Sequence, residues 1–160
     1  MYLIDGNNVM GQRPGWHRDR RAAQRRVLLE VAELSRLKRI QMGIVFDGKP
    51  LDNFPDGSRF RGVQVYFAHR GGSADDRIVE LVEQSGNRHN LTVVTSDRGL
   101  ARRVEVAGVK TIRAGEIRRM LDVLVVEVPE TLEVTEAELP EWMRYFGVSA
   151  EDDGEDLECE

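Results

Sequence analysis

The sequence predicts a three-layer α/β domain with a mainly parallel central sheet. Two observations carry this. Apolar runs of strand length alternate with segments of helical periodicity from the first residue to about residue 126. Three of the runs also end in an aspartate: Tyr2-Leu3-Ile4-Asp5, Gly43-Ile44-Val45-Phe46-Asp47 and Leu91-Thr92-Val93-Val94-Thr95-Ser96-Asp97. If these strands lie parallel, all three carboxylates emerge at one edge. Open α/β sheets bind ligands outside the carboxyl ends of their strands.

Each element has its own warrant. The first strand opens the chain and runs into Asp5-Gly6-Asn7-Asn8, where Gly6 permits a tight turn and Asn8 can return its side chain toward Asp5. Residues 10–19 read as a loop. A helix over residues 20–39 follows, with Val27, Leu28, Val31, Leu34 and Leu37 as its buried stripe. The second strand ends at Asp47. Residues 48–62, rich in Pro, Gly and Asp, read as a long connection. A third strand covers residues 63–68. Ser73 is the expected N-cap of a helix over residues 74–84. At 100° per residue, Asp75 projects about 60° from the buried Ile78 and Asp76 about 160°. Asp75 is therefore expected to face the strand ends. The strand ending at Asp97 leads into a helix over residues 98–107, closed by Gly108. A short fifth strand (109–112) and a further helix (115–126) complete the alternation, and residues 123–128 can alternatively form an edge strand.

The net charge of −5 hides an asymmetry. Residues 1–126 carry 22 Lys and Arg against 15 Asp and Glu, whereas residues 127–160 carry Arg144 against 13 acids. An Arg-rich body suits a polyanion such as nucleic acid, or is simply a solvated surface. Three parts are expected: a domain over residues 1–126, an extension over 127–148 with a short helix over 136–146, and an acidic, disordered tail over 149–160. The tail either keeps the protein soluble or folds back on the basic face. No run approaches the roughly 18 apolar residues of a membrane span. The chain starts in a strand, so no signal peptide is expected. Cys159 has no partner for an internal disulfide, which fits a reducing cytoplasm. No P-loop or dinucleotide fingerprint is present, so no nucleotide cofactor is expected. His17, His69 and His89 lack metal-ligand spacing and read as surface residues.

Asp5, Asp47, Asp75 and Asp97 are thus brought toward one edge. Each can simply cap the turn or helix after its strand. Clustered carboxylates, however, repel one another unless a cation intervenes, and hard divalent ions prefer oxygen ligands. Such an ion can activate water toward a phosphodiester.

Leu3-Ile4-Asp5-Gly6-Asn7-Asn8-Val9, Val45-Phe46-Asp47, Ser73-Ala74-Asp75-Asp76-Arg77-Ile78 and Val94-Thr95-Ser96-Asp97-Arg98, in that order, resemble the NYN domains of the PIN-like nuclease superfamily, in particular the YacP-like branch. The resemblance covers about residues 1–122. It implies a PIN-like, Rossmann-type sheet and a cytoplasmic, Mg2+- or Mn2+-dependent endoribonuclease that hydrolyses single-stranded RNA. Asp5, Asp75 and Asp97 would hold the metal, with Asp47 beside them and Asn8 positioning Asp5. Asp76 and Ser96 would support the site from behind. RNA would lie on Arg13, Trp16, Arg18, Arg59, Arg61, Arg70 and Arg98, and the ribosome is a candidate partner. Many NYN domains follow the last Asp with a second acid, but Arg98 and Gly99 stand here. Two other classes remain open: an RNA-binding or ribosome-associated adaptor without activity, and a metal-dependent phosphatase for small esters.

Overall fold

The computed structural model describes residues 1–140 and Met143. Six strands form one sheet in the order β3-β4-β2-β1-β5-β6. They are β1 (Tyr2–Asp5), β2 (Met42–Phe46), β3 (Ser58–Phe60), β4 (Val63–Phe67), β5 (Thr92–Val94) and β6 (Lys110–Ile112). All pairings are parallel except that of β3 with β4. The helices are α1 (Gly6–Met10), α2 (Arg20–Lys38), α3 (Ala74–Gln84), α4 (Arg98–Val106) and α5 (Ala114–Asp122).

Continuous apolar strands make this sheet because both faces are covered. Successive side chains leave opposite faces, so neighbours in sequence enter different cores. Ile4, Ile44, Phe46 and Val94 pack under α1, α2 and α5. Leu3, Val45 and Val93 pack under α3 and α4. The helix boundaries follow local chemistry. Asp19 caps α2 by accepting from Ala22 N, and Arg39, in the left-handed region at φ 54°, ends it. Ser73 caps α3 by accepting from Asp76 N. The chain builds β1, β2 and β4 in one direction, then crosses over to lay β5 and β6 on the other side of β1. Strand order therefore reverses between β1 and β5, and a crevice opens there at the carboxyl edge.

Four elements differ from the sequence reading. Gly6–Met10 is a short helix where a turn and the start of a loop are expected, because Asp5 caps it by accepting from Asn8 N. The long connection holds a 3-10 turn at Leu51–Asn53 and the edge strand β3. Arg61 and Gly62, both at positive φ, form the two-residue turn between β3 and β4. After α5 ends at Asp122, residues 123–128 form no strand. Of the expected helix over 136–146, the described part is a 3-10 turn at Glu136–Glu138. The acidic tail lies outside the described residues.

Residues 123–140 run back over the body. Leu132 and Leu139 are buried. Asp52 accepts from Leu132 N at 2.9 Å and from both Arg25 Nε and Nη2. Beneath α2 and α5 lies a second ionic cluster. Glu30, with its side chain 2 % exposed, accepts from Arg118 Nη2 and Arg13 Nη2, each at 2.9 Å. Asp122 accepts from Arg118 Nε at 2.7 Å and Arg13 Nη2 at 3.3 Å. This cluster fastens the loop after α1 to two helices. Among the described residues, no helix is long and apolar enough to cross a membrane.

Candidate active site

Asp5 ends β1 and is 4 % exposed. Its Oδ1 accepts from Asn8 N at 3.3 Å, and its Oδ2 accepts from Thr95 Oγ1 at 3.1 Å. Thr95 Oγ1 in turn accepts from Asp97 N at 3.1 Å. One hydroxyl thus links the ends of β1 and β5 across the switch point. Asp97 Oδ1 accepts from Leu100 N and caps α4. Asp47 follows β2. Its Oδ1 accepts from Ala74 N at 2.6 Å, and its own N donates to Asn7 Oδ1 at 3.0 Å. Asn8 Oδ1 accepts from Ser96 N at 2.9 Å, and Ser96 Oγ accepts from Ala114 N at 3.0 Å. The ends of β1, β2 and β5 and the starts of α1, α3, α4 and α5 are laced together by these bonds.

The electrostatics agree with a shared site. Burial raises the Asp5 carboxyl from 3.8 to about 6, and the Asp75 and Asp47 charges add to this against the bonds from Asn8 and Thr95. Asp75 is raised too, by burial first and then by Asp97 and Asp47. Asp75 is half-buried where Asp76 is exposed, the order its helical angle predicts. Asp76 points outward, and the hydrogen bond from Arg103 at 3.0 Å holds its carboxyl low.

This donor set fits a hard divalent cation. The oxygens are carboxylate, their charges repel one another, and each Asp5 oxygen keeps a lone pair. Among the described residues, no group of three or more His, Cys, Asp or Glu can hold a metal by itself.

Other expected residues fall into place or out of it. Asn8 positions Asp5 through its backbone, while its side chain goes to Ser96. Arg98 begins α4 beside Asp97, and Arg70 lies in the loop after β4, both at the carboxyl edge. A cleft of about 480 Å³ beside Asp97 is lined by Arg98 and by Arg113, which sequence reasoning missed. Trp16 and Arg18 line a second cleft against α2. Arg13 lines it too, but its Nη2 is held by Glu30 and Asp122. Arg59 sits on edge strand β3, three strands from Asp5, and Arg61 occupies the hairpin turn at the opposite edge of the sheet. Arg61 lies over the Phe60 ring at 5.1 Å. His17, His69 and His89 are all exposed. Thr95 and Asn7 also escaped the sequence reading. The signal for Thr95 is a polar residue at the buried end of a strand, directly before the site.

Gly6 has a steric role. A Cβ there would lie 2.7 Å from two Phe46 ring carbons and 2.9 Å from Val45 O. Gly6→Ala must therefore push α1 off β2 or displace Phe46. It is expected to cost about 2–3 kcal/mol, a typical overpacking penalty, read as a lowered denaturation midpoint. An unchanged midpoint would show that the Phe46 ring yields freely.

A doubly covered, mainly parallel sheet with four carboxylates at its carboxyl edge defines a PIN-like α/β domain. Consistent with this, the YacP-like NYN domain model matches residues 2–144, and the chain belongs to that family, one of nuclease-type domains whose members typically use divalent metals. Its fold is that of Rae1 (YacP) from Bacillus subtilis, with 23 % identity over 76 % of this chain and 73 % of that one and a TM-score of 0.64. The W164L mutant of the same protein matches at 22 % identity, over 76 % and 74 % of the two chains, with a TM-score of 0.62. No curated protein matches the sequence.

Proposed function

We propose that this protein is a divalent-metal-dependent endoribonuclease acting on single-stranded RNA. The observation that carries the reading is the gathering of Asp5, Asp47, Asp75 and Asp97 at the switch point, where burial and mutual repulsion raise the first and third. Asp5, Asp75 and Asp97 would hold Mg2+ or Mn2+. The bound ion supplies an activated water and charge stabilisation at the scissile phosphate. The chain's own part is positional. Thr95 Oγ1 and Asn8 N fix the Asp5 carboxylate, and Asp47 anchors the start of α3 that carries Asp75. Arg98, Arg113 and Arg70 supply cations for the backbone phosphates on either side of the acids.

The deciding experiment titrates Mn2+ calorimetrically into wild type and Asp97→Asn and follows cleavage of a labelled single-stranded RNA. Binding and cleavage in wild type, both lost in the variant, support the reading. Asparagine still caps α4, so the fold is expected to survive. Binding without cleavage points to a partner, such as the ribosome, that presents the RNA. No binding at millimolar Mn2+ overturns the catalytic reading in favour of an RNA-binding adaptor, for which the absence of a three-ligand group among the described residues speaks.

A further inference from the structure

A cleft of about 280 Å³ opens between residues 13–19 and the first turns of α2. Its walls are apolar: Met10, Pro14, Trp16, Ala23, Val27 and Val128. Its rim is mainly cationic, with Arg13, Arg18 and Arg26 against the one carboxylate of Asp19; Arg26 Nε lies 3.7 Å from Glu30. The cleft stands on the same edge as the acids. α2 has 19 residues and is about 28 Å long, while the five-residue β2 spans about 17 Å. The end of α2 lies just before the start of β2, so the excess length stands above the carboxyl edge. From Asp5 the path to the cleft is α1, five residues and about 7.5 Å, which ends at Met10.

The walls and rim narrow the occupant. Trp16 is half-buried, with Arg20 over its ring at 5.7 Å and His17 edge-on at 5.9 Å, so the indole forms part of the wall. A flat, mostly apolar group that is joined to an anion suits an apolar, indole-walled cleft with a mainly cationic rim. We infer that this cleft is a nucleobase subsite, which takes one unstacked base of the RNA while Arg18 and Arg26 hold its neighbouring phosphates. The inference rests on the nuclease reading and adds to it a position where base identity is felt.

The test measures binding in EDTA, where no hydrolysis occurs, by fluorescence anisotropy with the full chain. The probes are a short single-stranded RNA and the same ribose-phosphate chain without bases. Wild type is expected to prefer the base-bearing chain by about ten-fold or more. Ala22→Leu, which fills the cleft from α2, removes most of that preference and leaves affinity for the abasic chain unchanged. Trp16→Ala reads the same way should the leucine disturb α2. Arg18→Ala weakens both probes alike and reduces the salt dependence. Equal wild-type affinity for the two probes overturns the subsite, as does a preference that survives in both folded cleft variants. Base-dependent binding without Mn2+ binding or cleavage sinks the nuclease reading and leaves the subsite standing. Cleavage with base-independent binding does the reverse.

Discussion

Asp5→Asn is expected to abolish the proposed RNA cleavage and, above neutral pH, to raise the melting temperature of the metal-free protein. The first effect follows from losing the central carboxylate and is expected to reach about a thousand-fold, the scale of several kcal/mol of metal-assisted stabilisation. The second follows from burial. A carboxyl whose pKa is raised on folding from 3.8 to about 6 binds its proton more tightly in the native state. Its stabilising contribution is complete below about pH 4 and is lost as pH rises through about 6, a change of about 3 kcal/mol. A neutral amide avoids that loss. Part of the gain is offset, because one amide end must face Thr95 or Asn8 N with mismatched donors. A net gain of about 1–2 kcal/mol remains, worth several degrees in a chain of this size. The wild-type melting temperature should fall relative to the variant across this pH range, and Mn2+ affinity should fall as the medium drops below about pH 6. A variant less stable than wild type at every pH would show that the carboxylate is a structural hydrogen-bonding group and not a strained one.

Glu30→Ala is expected to be the most destabilising single change outside the strands. Glu30 accepts from Arg118, whose side chain is 7 % exposed, and from Arg13. Breaking a buried pair by removing one partner leaves an uncompensated charge and costs about 3–5 kcal/mol. At this chain length that is a fall of about 10 °C in melting temperature. Glu30→Leu combined with Arg118→Leu removes both charges and should recover much of the loss, and the double-mutant cycle measures the coupling. Additive losses in the double variant would show that Asp122 alone satisfies Arg118. Because Arg13 is fastened by the same carboxylate, Glu30→Ala should also loosen residues 13–19, read as faster amide exchange there.

Much of this architecture was legible in the sequence. β2 is buried at every residue, and only a run such as Met42-Gly43-Ile44-Val45-Phe46 can fill such a place. The helical angle separates Asp75 from Asp76 correctly because α3 is regular and Ile78 is fully buried. What escaped depends on distant partners. β3 has three residues and exists because Ser58, Arg59 and Phe60 pair with β4. α1 is held by a carboxylate cap in place of any helical preference of Gly-Asn-Asn. The bonds of Asn7 to Asp47, Asn8 to Ser96 and Thr95 to Asp5 span 40, 88 and 90 positions. Nothing local announces them. The hold on Arg13 is hidden for the same reason: the carboxylates that bind its Nη2 belong to α2 and α5. Arg61 lies away from the acids because the hairpin that carries it points to the other edge.

Three of the four acids of the site already hold up a piece of backbone. Asp5 and Asp97 cap α1 and α4, and Asp47 receives the first N–H of α3. Asparagine can accept a cap bond of this kind, although at Asp5 its one oxygen cannot take both the Asn8 and the Thr95 bond. A single base change in an aspartate codon would therefore be enough to silence the proposed chemistry while leaving such a cap in place. Under the proposed function, inactive copies that keep the fold lie one mutational step away, with no failure of folding to purge them.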